Sequence, residues 1–200
     1  MDNYIEFLCE RMGEIGSGVP DALRIYKYGR DRFLADDLLK AKKAEVLNYI
    51  LHSSVIPSEC TLADTVVFGY GGIGVILHNS TVIGAGAVIG SNVTIGGGGA
   101  RGIYWINDVG QRVYAPRIGD NVYIATGAKV LGGIEVGQLS IIGANCVLRD
   151  SVPPLSVVAG VPGRIINRIT ADNCLNYKST FYGLREVSDI EFIGMILNLS

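Results

Sequence analysis

Aliphatic residues recur at every sixth position through the middle of this 200-residue chain. Leu77, Ile83, Ile89 and Ile95 share one phase, and after an interruption Ile118, Ile124, Val130, Val136, Ile142 and Leu148 resume it. Glycine follows the aliphatic residue at six of these ten places: Gly84, Gly90, Gly96, Gly119, Gly137 and Gly143. Four residues after the aliphatic position stand Thr81, Ala87, Val93, Val122, Ala128, Ile134, Ser140, Cys146 and Val152, all small or aliphatic. A helix repeats its apolar face about every 3.6 residues and a strand about every 2, so neither accounts for a period of six. The pattern predicts a mainly β solenoid of short flat strands. Three hexapeptides close one triangular coil, and each residue stacks on the one eighteen further on. Inward aliphatic side chains form ladders, small residues fit the crowded corners, and glycine supplies backbone conformations that a side chain penalises. A coil buries its faces only against its neighbours, so both ends need caps.

The flanks have a different texture. Asp21–Tyr28 and Asp31–His52 carry no proline and, between them, only Gly29, with Leu34, Leu38, Leu39, Ala44, Leu47 and Ile50 at roughly helical spacing. Residues 1–54 are therefore expected to form a helical segment ending near Ser53–Ser54. Residues 55–166 form the solenoid and 167–200 a capping segment. Within the solenoid, residues 97–116 break the period and hold Arg101, Tyr104, the one Trp (Trp105), Asp108, Arg112 and Tyr114. Long excursions in compact repeats commonly carry function. This one suits stacking on a sugar ring or covering a cofactor, and equally subunit packing.

Composition narrows the function classes. Charged residues make up only 18% and the net charge is −2, which argues against a nucleic-acid-binding surface. Cys9, Cys60, Cys146 and Cys174 show no CxxC spacing and only two histidines exist, so neither a disulfide framework nor a metal site is expected. No apolar run reaches membrane-spanning length and the N-terminus has no signal-peptide pattern, so a cytoplasmic location is expected. Gly69-Tyr70-Gly71-Gly72-Ile73-Gly74 matches GxGxxG, but hexapeptides follow it rather than a helix, so it is not a dinucleotide site.

Residues 73–166 carry a family likeness. The runs are Val93-Thr94-Ile95-Gly96-Gly97, Ile118-Gly119-Asp120-Asn121-Val122-Tyr123-Ile124, Gly127-Ala128-Lys129-Val130-Leu131-Gly132, and Val152-Pro153-Pro154 followed by Val158-Ala159-Gly160-Val161-Pro162-Gly163. They resemble the hexapeptide-repeat acyltransferases, in their serine-acetyltransferase-like branch, which also includes O-acetyltransferases of capsule and O-antigen sugars. The resemblance implies a left-handed parallel β-helix, although the general rule for parallel crossovers predicts the right hand. It also implies a homotrimer with acetyl-CoA in a groove between subunits.

Carried onto this chain, the resemblance puts backbone contacts to acetyl-CoA at Gly97, Thr126 and Ala144. Lys129 and Arg164 are candidates for the nucleotide phosphates, or else solvated surface charges. The branch's two catalytic histidines have no counterpart: the first stretch reads Phe68-Gly69-Tyr70-Gly71-Gly72, and Ala115 precedes Pro116. His52 ends a helical stretch and reads as structural. His78 follows Leu77 at a corner, where it suits a general base that takes the proton of an acceptor hydroxyl, or else is a tolerated polar corner residue. Tyr70, Trp105 and Asp108 complete the substrate-side candidates. The expected activity is acetyl-CoA-dependent O-acetylation of a sugar or cell-surface polysaccharide precursor. The alternatives are serine O-acetylation for cysteine synthesis and a non-catalytic β-helix protein.

Overall fold

The computed structural model describes residues 19–98 and 102–199; Cys9 and Arg101 lie outside them. Three parallel ladders of short strands form the faces of a triangular solenoid. The first face stacks Thr61–Leu62, Val82–Ile83, Arg117–Ile118 and Glu135–Val136. The second stacks Val67–Phe68, Val88–Ile89, Tyr123–Ile124, Ile141–Ile142 and Ser156–Ala159, with Arg164–Arg168 added antiparallel at its end. The third stacks Ile76–Leu77, Thr94–Gly96, Lys129–Leu131 and Val147–Leu148. Leu77 pairs with Ile95 and Ile118 with Val136, eighteen residues on in each case. Ile83 pairs instead with Ile118, because the 97–116 excursion is looped out between them.

All ten in-phase aliphatic side chains are buried, and so are the nine small residues four places later. Their shared interior is the main core of the molecule. Burying an aliphatic side chain is worth about 1.5–3 kcal/mol, which favours an aliphatic residue at every ladder position.

The glycines act differently from the sequence-based expectation. Gly84, Gly90, Gly96, Gly119, Gly137 and Gly143 are not among the residues with positive φ. All six are instead crowded by an adjacent coil, four of them to under 3.0 Å from an added Cβ. A Cβ on Gly90 would lie 2.6 Å from the Thr126 amide nitrogen, and one on Gly119 would lie 2.7 Å from that of Gln138. The left-handed conformations fall two places later, at Gly86, Asn92, Asn121, Gly127, Leu139 and Asn145. Asparagine tolerates that region better than most residues.

Helix α1 (Ala22–Leu34) and helix α2 (Leu38–His52) precede the coils, capped by the Asp21 and Asp37 carboxylates. The chain turns at Ala35–Asp37 rather than at Gly29, which lies inside α1 where a Cβ would stand 3.1 Å from that of Ala44. The buried stripe of α2 is Ala41, Ala44 and Asn48. Leu34, Leu38, Leu39, Leu47 and Ile50 are exposed, so the leucine spacing reported helix formation but not the packed face. At the other end, Ile169, Cys174, Phe181 and the α3 helix (Asp189–Leu197, through Phe192 and Ile196) form a second core with Leu139 and Leu155. No described helix is long and apolar enough to cross a membrane.

Candidate functional site

The triangular cross-section gives the solenoid three edges, and two of them hold the candidate residues. After the second face the corner positions stack as Tyr70, Ser91, Thr126 and Ala144, each two residues past a buried Phe or Ile. The Thr126 carbonyl accepts the Asn145 amide at 3.0 Å, and the Ser91 and Thr126 hydroxyls are 3.4 Å apart. Lys129 opens the third-face strand beside this edge, and its Nζ donates to the Asn92 carbonyl at 2.7 Å. Tyr70 stands 78% exposed on a left-handed residue. Arg164 lies at the end of the solenoid, 3.6 Å from Asp150 and bonded to the Gly163 carbonyl.

His78 and Gly97 belong to the other edge, after the third face. The Gly97 backbone packs so closely on the imidazole that a Cβ there would lie 2.8 Å from Cδ2 and 3.0 Å from Nε2 of His78. Three contacts hold the His78 corner: its amide donates to the Ile95 carbonyl, and its own carbonyl accepts the Thr81 amide and the Cys60 thiol. Burial pushes the Cys60 thiol up to about 12, so this sulfur is a fixed donor and not a nucleophile. The Ser80 amide donates to Nδ1 of His78 at 3.1 Å, so in the neutral ring the proton sits on Nε2. That is a hydrogen-bond donor facing the corner, not the free lone pair a base at Nε2 requires.

The described residues 102–116 of the excursion contain a hairpin. Trp105–Ile106 pairs antiparallel with Arg112–Val113 around a turn in which Asn107 accepts the Gly110 amide. It lies on the corner of the next coil, where a Cβ on Gly133 would clash with the Ile103 carbonyl and with Tyr104. Tyr104 and Tyr114 meet edge-on at 5.8 Å, and the Trp105 indole N–H donates to the Ala115 carbonyl at 2.7 Å. Ala115 is fully buried, so packing occupies the place before Pro116 where the resemblance implied a histidine.

Two hollows flank this hairpin. A cavity of about 600 Å³ is lined by His78, Trp105, Asp108, Arg112, Arg117 and Glu59 among others. A narrower groove of about 270 Å³, mostly apolar, runs past Gly97, Gly98, Ile103, Leu131 and Gly132 to Arg149. Sequence reading missed Arg117, Glu59 and Arg149. Arg117 and Arg149 sit one place either side of a ladder residue, a spacing that marked them as outward-facing and nothing more. His52 is remote in role: its Nε2 contacts the Pro20 carbonyl at 2.8 Å at the end of α2. Among the described residues no group of three or more His, Cys, Asp or Glu stands together as a metal site.

The family described as "Bacterial transferase hexapeptide (six repeats)" matches residues 115–150. The serine acetyltransferase of Staphylococcus aureus is 43% identical over 97 residues, 48% of this chain and 41% of that protein. The serine acetyltransferase of Mycobacterium tuberculosis is 43% identical over 95 residues, 48% of this chain and 38% of that one. Among solved structures, serine acetyltransferase from Vibrio cholerae superposes with a TM-score of 0.65 at 28% identity, over 74% of this chain and 54% of the other. Serine acetyltransferase from Brucella abortus in complex with coenzyme A gives 0.65 and 28%, over 74% and 55%. This chain thus spans about two fifths of the curated relatives it matches. These similarities overturn the expected sugar or polysaccharide acceptor and favour serine, the alternative. Residues 115–150 thus match the bacterial transferase hexapeptide family, and the coils around them are similar to those of serine acetyltransferases.

Proposed function

We propose that this protein is an acetyl-CoA-dependent serine O-acetyltransferase that works at the edge where His78 meets Gly97. One observation carries the reading: this imidazole lines a cavity of about 600 Å³ and packs on Gly97, which lines a narrow apolar groove, on coils similar to serine acetyltransferases. Acetyl-CoA supplies a thioester carbonyl as the electrophile. The serine hydroxyl oxygen forms the new C–O bond, the C–S bond breaks, and the hydroxyl proton ends on the departing thiol. Nε2–H of His78 donates to the carbonyl oxygen as charge builds there, the role of an oxyanion-hole donor. Base action by Nε2 would first require the ring to surrender the Ser80 amide and move its proton to Nδ1.

The groove past Gly97, Gly98 and Gly132 takes the pantetheine arm, and Trp105 and Asp108 wall the acceptor cavity. Gly97 and the Thr126–Ala144 pair stand at opposite ends of the third face. One arm touching both needs a second copy of the chain, whose Thr126, Ala144 and Lys129 edge, with Tyr70 and Arg164, closes the groove. A homotrimer of left-handed β-helices, of the kind the resemblance implies, meets that requirement.

Thiol release from acetyl-CoA, measured with L-serine, L-threonine, L-homoserine and a set of amino- and deoxy-sugars, tests the assignment. Fast release with L-serine is the expected result. Thiol release with other hydroxyl acceptors but not with serine overturns it. Sedimentation equilibrium tests the groove separately, since a stable monomer would leave Gly97 and Thr126 on unrelated surfaces.

A further inference from the structure

The large cavity beside His78 has an unusual charge content for a site that receives a neutral hydroxyl. It is lined by two guanidinium groups, Arg112 and Arg117, and two carboxylates, Glu59 and Asp108. Charges of both signs around one cavity match a zwitterion better than an uncharged acceptor. The two arginines are not equivalent. Arg112 rides on the hairpin, with its guanidinium 4.6 Å from the centre of the Tyr104 ring. Arg117 springs from the first face of the solenoid, between Val82 and Glu135 in the ladder, and its guanidinium lies 5.4 Å from the centre of the Trp105 ring. Its ion pair with Glu135 is long, at 3.7 Å, and both side chains are about half exposed, at 52% and 55%. Such a pair contributes little to stability and yields readily to a better anion.

We propose that Arg117 binds the carboxylate of an α-amino-acid acceptor and is the residue that sets acceptor specificity. The planar guanidinium, held against the indole on a rigid strand, offers the parallel pair of N–H groups that a carboxylate takes in bidentate fashion. Glu59, two residues before the first strand of the first face, and Asp108, in the hairpin turn, receive the ammonium group. The acceptor hydroxyl then lies on the His78 side of the cavity. The inference rests on the serine reading and extends it to residues that carry the recognition. It also explains why an aromatic hairpin covers this corner: Trp105 orients the arginine instead of stacking on a sugar.

The test compares kcat/KM for L-serine with L-serinamide, which lacks the carboxylate, in the wild type, Arg117→Gln, Arg117→Lys and Glu135→Gln. Truncating one partner of a charge pair that is buried and hydrogen-bonded, as the bound carboxylate and Arg117 would be beneath the hairpin, costs about 30-fold in affinity or more. Arg117→Gln should therefore lower kcat/KM for serine by about 30- to 100-fold, chiefly through KM, and change that for serinamide by less than about threefold. Arg117→Lys should recover part of the loss, and Glu135→Gln should leave the serine-to-serinamide ratio intact. Thermal stabilisation by CoA checks that each variant is folded and binds donor. Equal losses with both acceptors, or no change in the ratio, overturn the proposal while the serine reading stands. Failure of the wild type to acetylate serine, with another hydroxyl acceptor turned over, overturns both.

Discussion

The Ser80 backbone amide and the His78 imidazole form a local pair, with the amide donating to Nδ1 at 3.1 Å two residues away. The pair fixes which ring nitrogen faces the Gly97 corner with its proton on. Donor and base roles then separate by substitution. His78→Ala should lower kcat by about 10²–10³, the usual worth of one oxyanion-hole donor. His78→Gln, which keeps an N–H donor, should retain more than His78→Ala does. Equal losses in the two variants would point to proton abstraction. CoA binding followed by thermal shift should change little in either, because the proposed donor contacts are backbone groups on other coils.

Gly97→Ala tests the same corner from the other side. The new Cβ would meet the imidazole at 2.8 Å, and a side-chain ring yields more easily than a backbone. The fold should survive, with midpoint denaturant concentration nearly unchanged, while kcat falls by about tenfold or more as His78 is displaced. Unfolding of the variant, rather than slowed turnover, would show that Gly97 serves coil packing.

Gly119→Ala should behave in the opposite way. Its Cβ would approach the Gln138 amide nitrogen at 2.7 Å and the Val136 carbonyl at 2.9 Å, both backbone atoms of the next coil. Ladder spacing cannot relax locally, so overpacking should cost about 1–3 kcal/mol in urea unfolding. A variant as stable as the wild type would mean that coil spacing is softer than the contacts imply.

Glu45 gives the N-terminal helices a pH dependence. Partial burial works against its ionised form, but hydrogen bonds from Lys42 and from the Ser58 amide more than compensate, so its carboxyl titrates below the ordinary value. A depressed folded-state value means the stabilisation is present above the unfolded carboxylate pKa and is lost as pH falls through the folded one. Glu45→Gln should therefore cost about 1–2 kcal/mol near neutrality and progressively less in acid. Thermal melts of the two proteins across that range check it, and a gap that widens in acid would reverse the assignment.

How much of this was legible differs from element to element. The phase of Leu77, Ile83, Ile118 and Leu148 was readable because each ladder place needs the same apolar side chain, whichever coil it belongs to. The helices were readable but their packed side was not: Leu39 and Ile50 are exposed while Ala41 and Ala44 are buried. Close approach of α1, marked by Gly29 against Ala44, selects small residues over large ones, and hydrophobicity alone ranks them the other way. The role of Gly84, Gly90 and Gly119 was likewise misread as conformational, since a sequence does not display the distance to the next coil.

The sequence by itself determined the period, the inward ladders, the existence of helices at the start and the place where the repeat is interrupted. Those features depend on residue type at fixed spacing, and a repeat writes the same local rule many times. Only the tertiary structure decided that Gly97 packs against the His78 ring and that Tyr70 and Ser91 join the edge on which the eighteen-residue spacing already placed Thr126 and Ala144. It also decided that residues 105–113 fold back as a hairpin, bringing Trp105 onto Arg117, and that the Ser80 amide points at Nδ1 of His78. These are relations between residues far apart in the chain, or between a side chain and a backbone amide whose direction the turn sets. No rule of spacing encodes them, because they arise from how a looped-out segment and a closed coil fill space together.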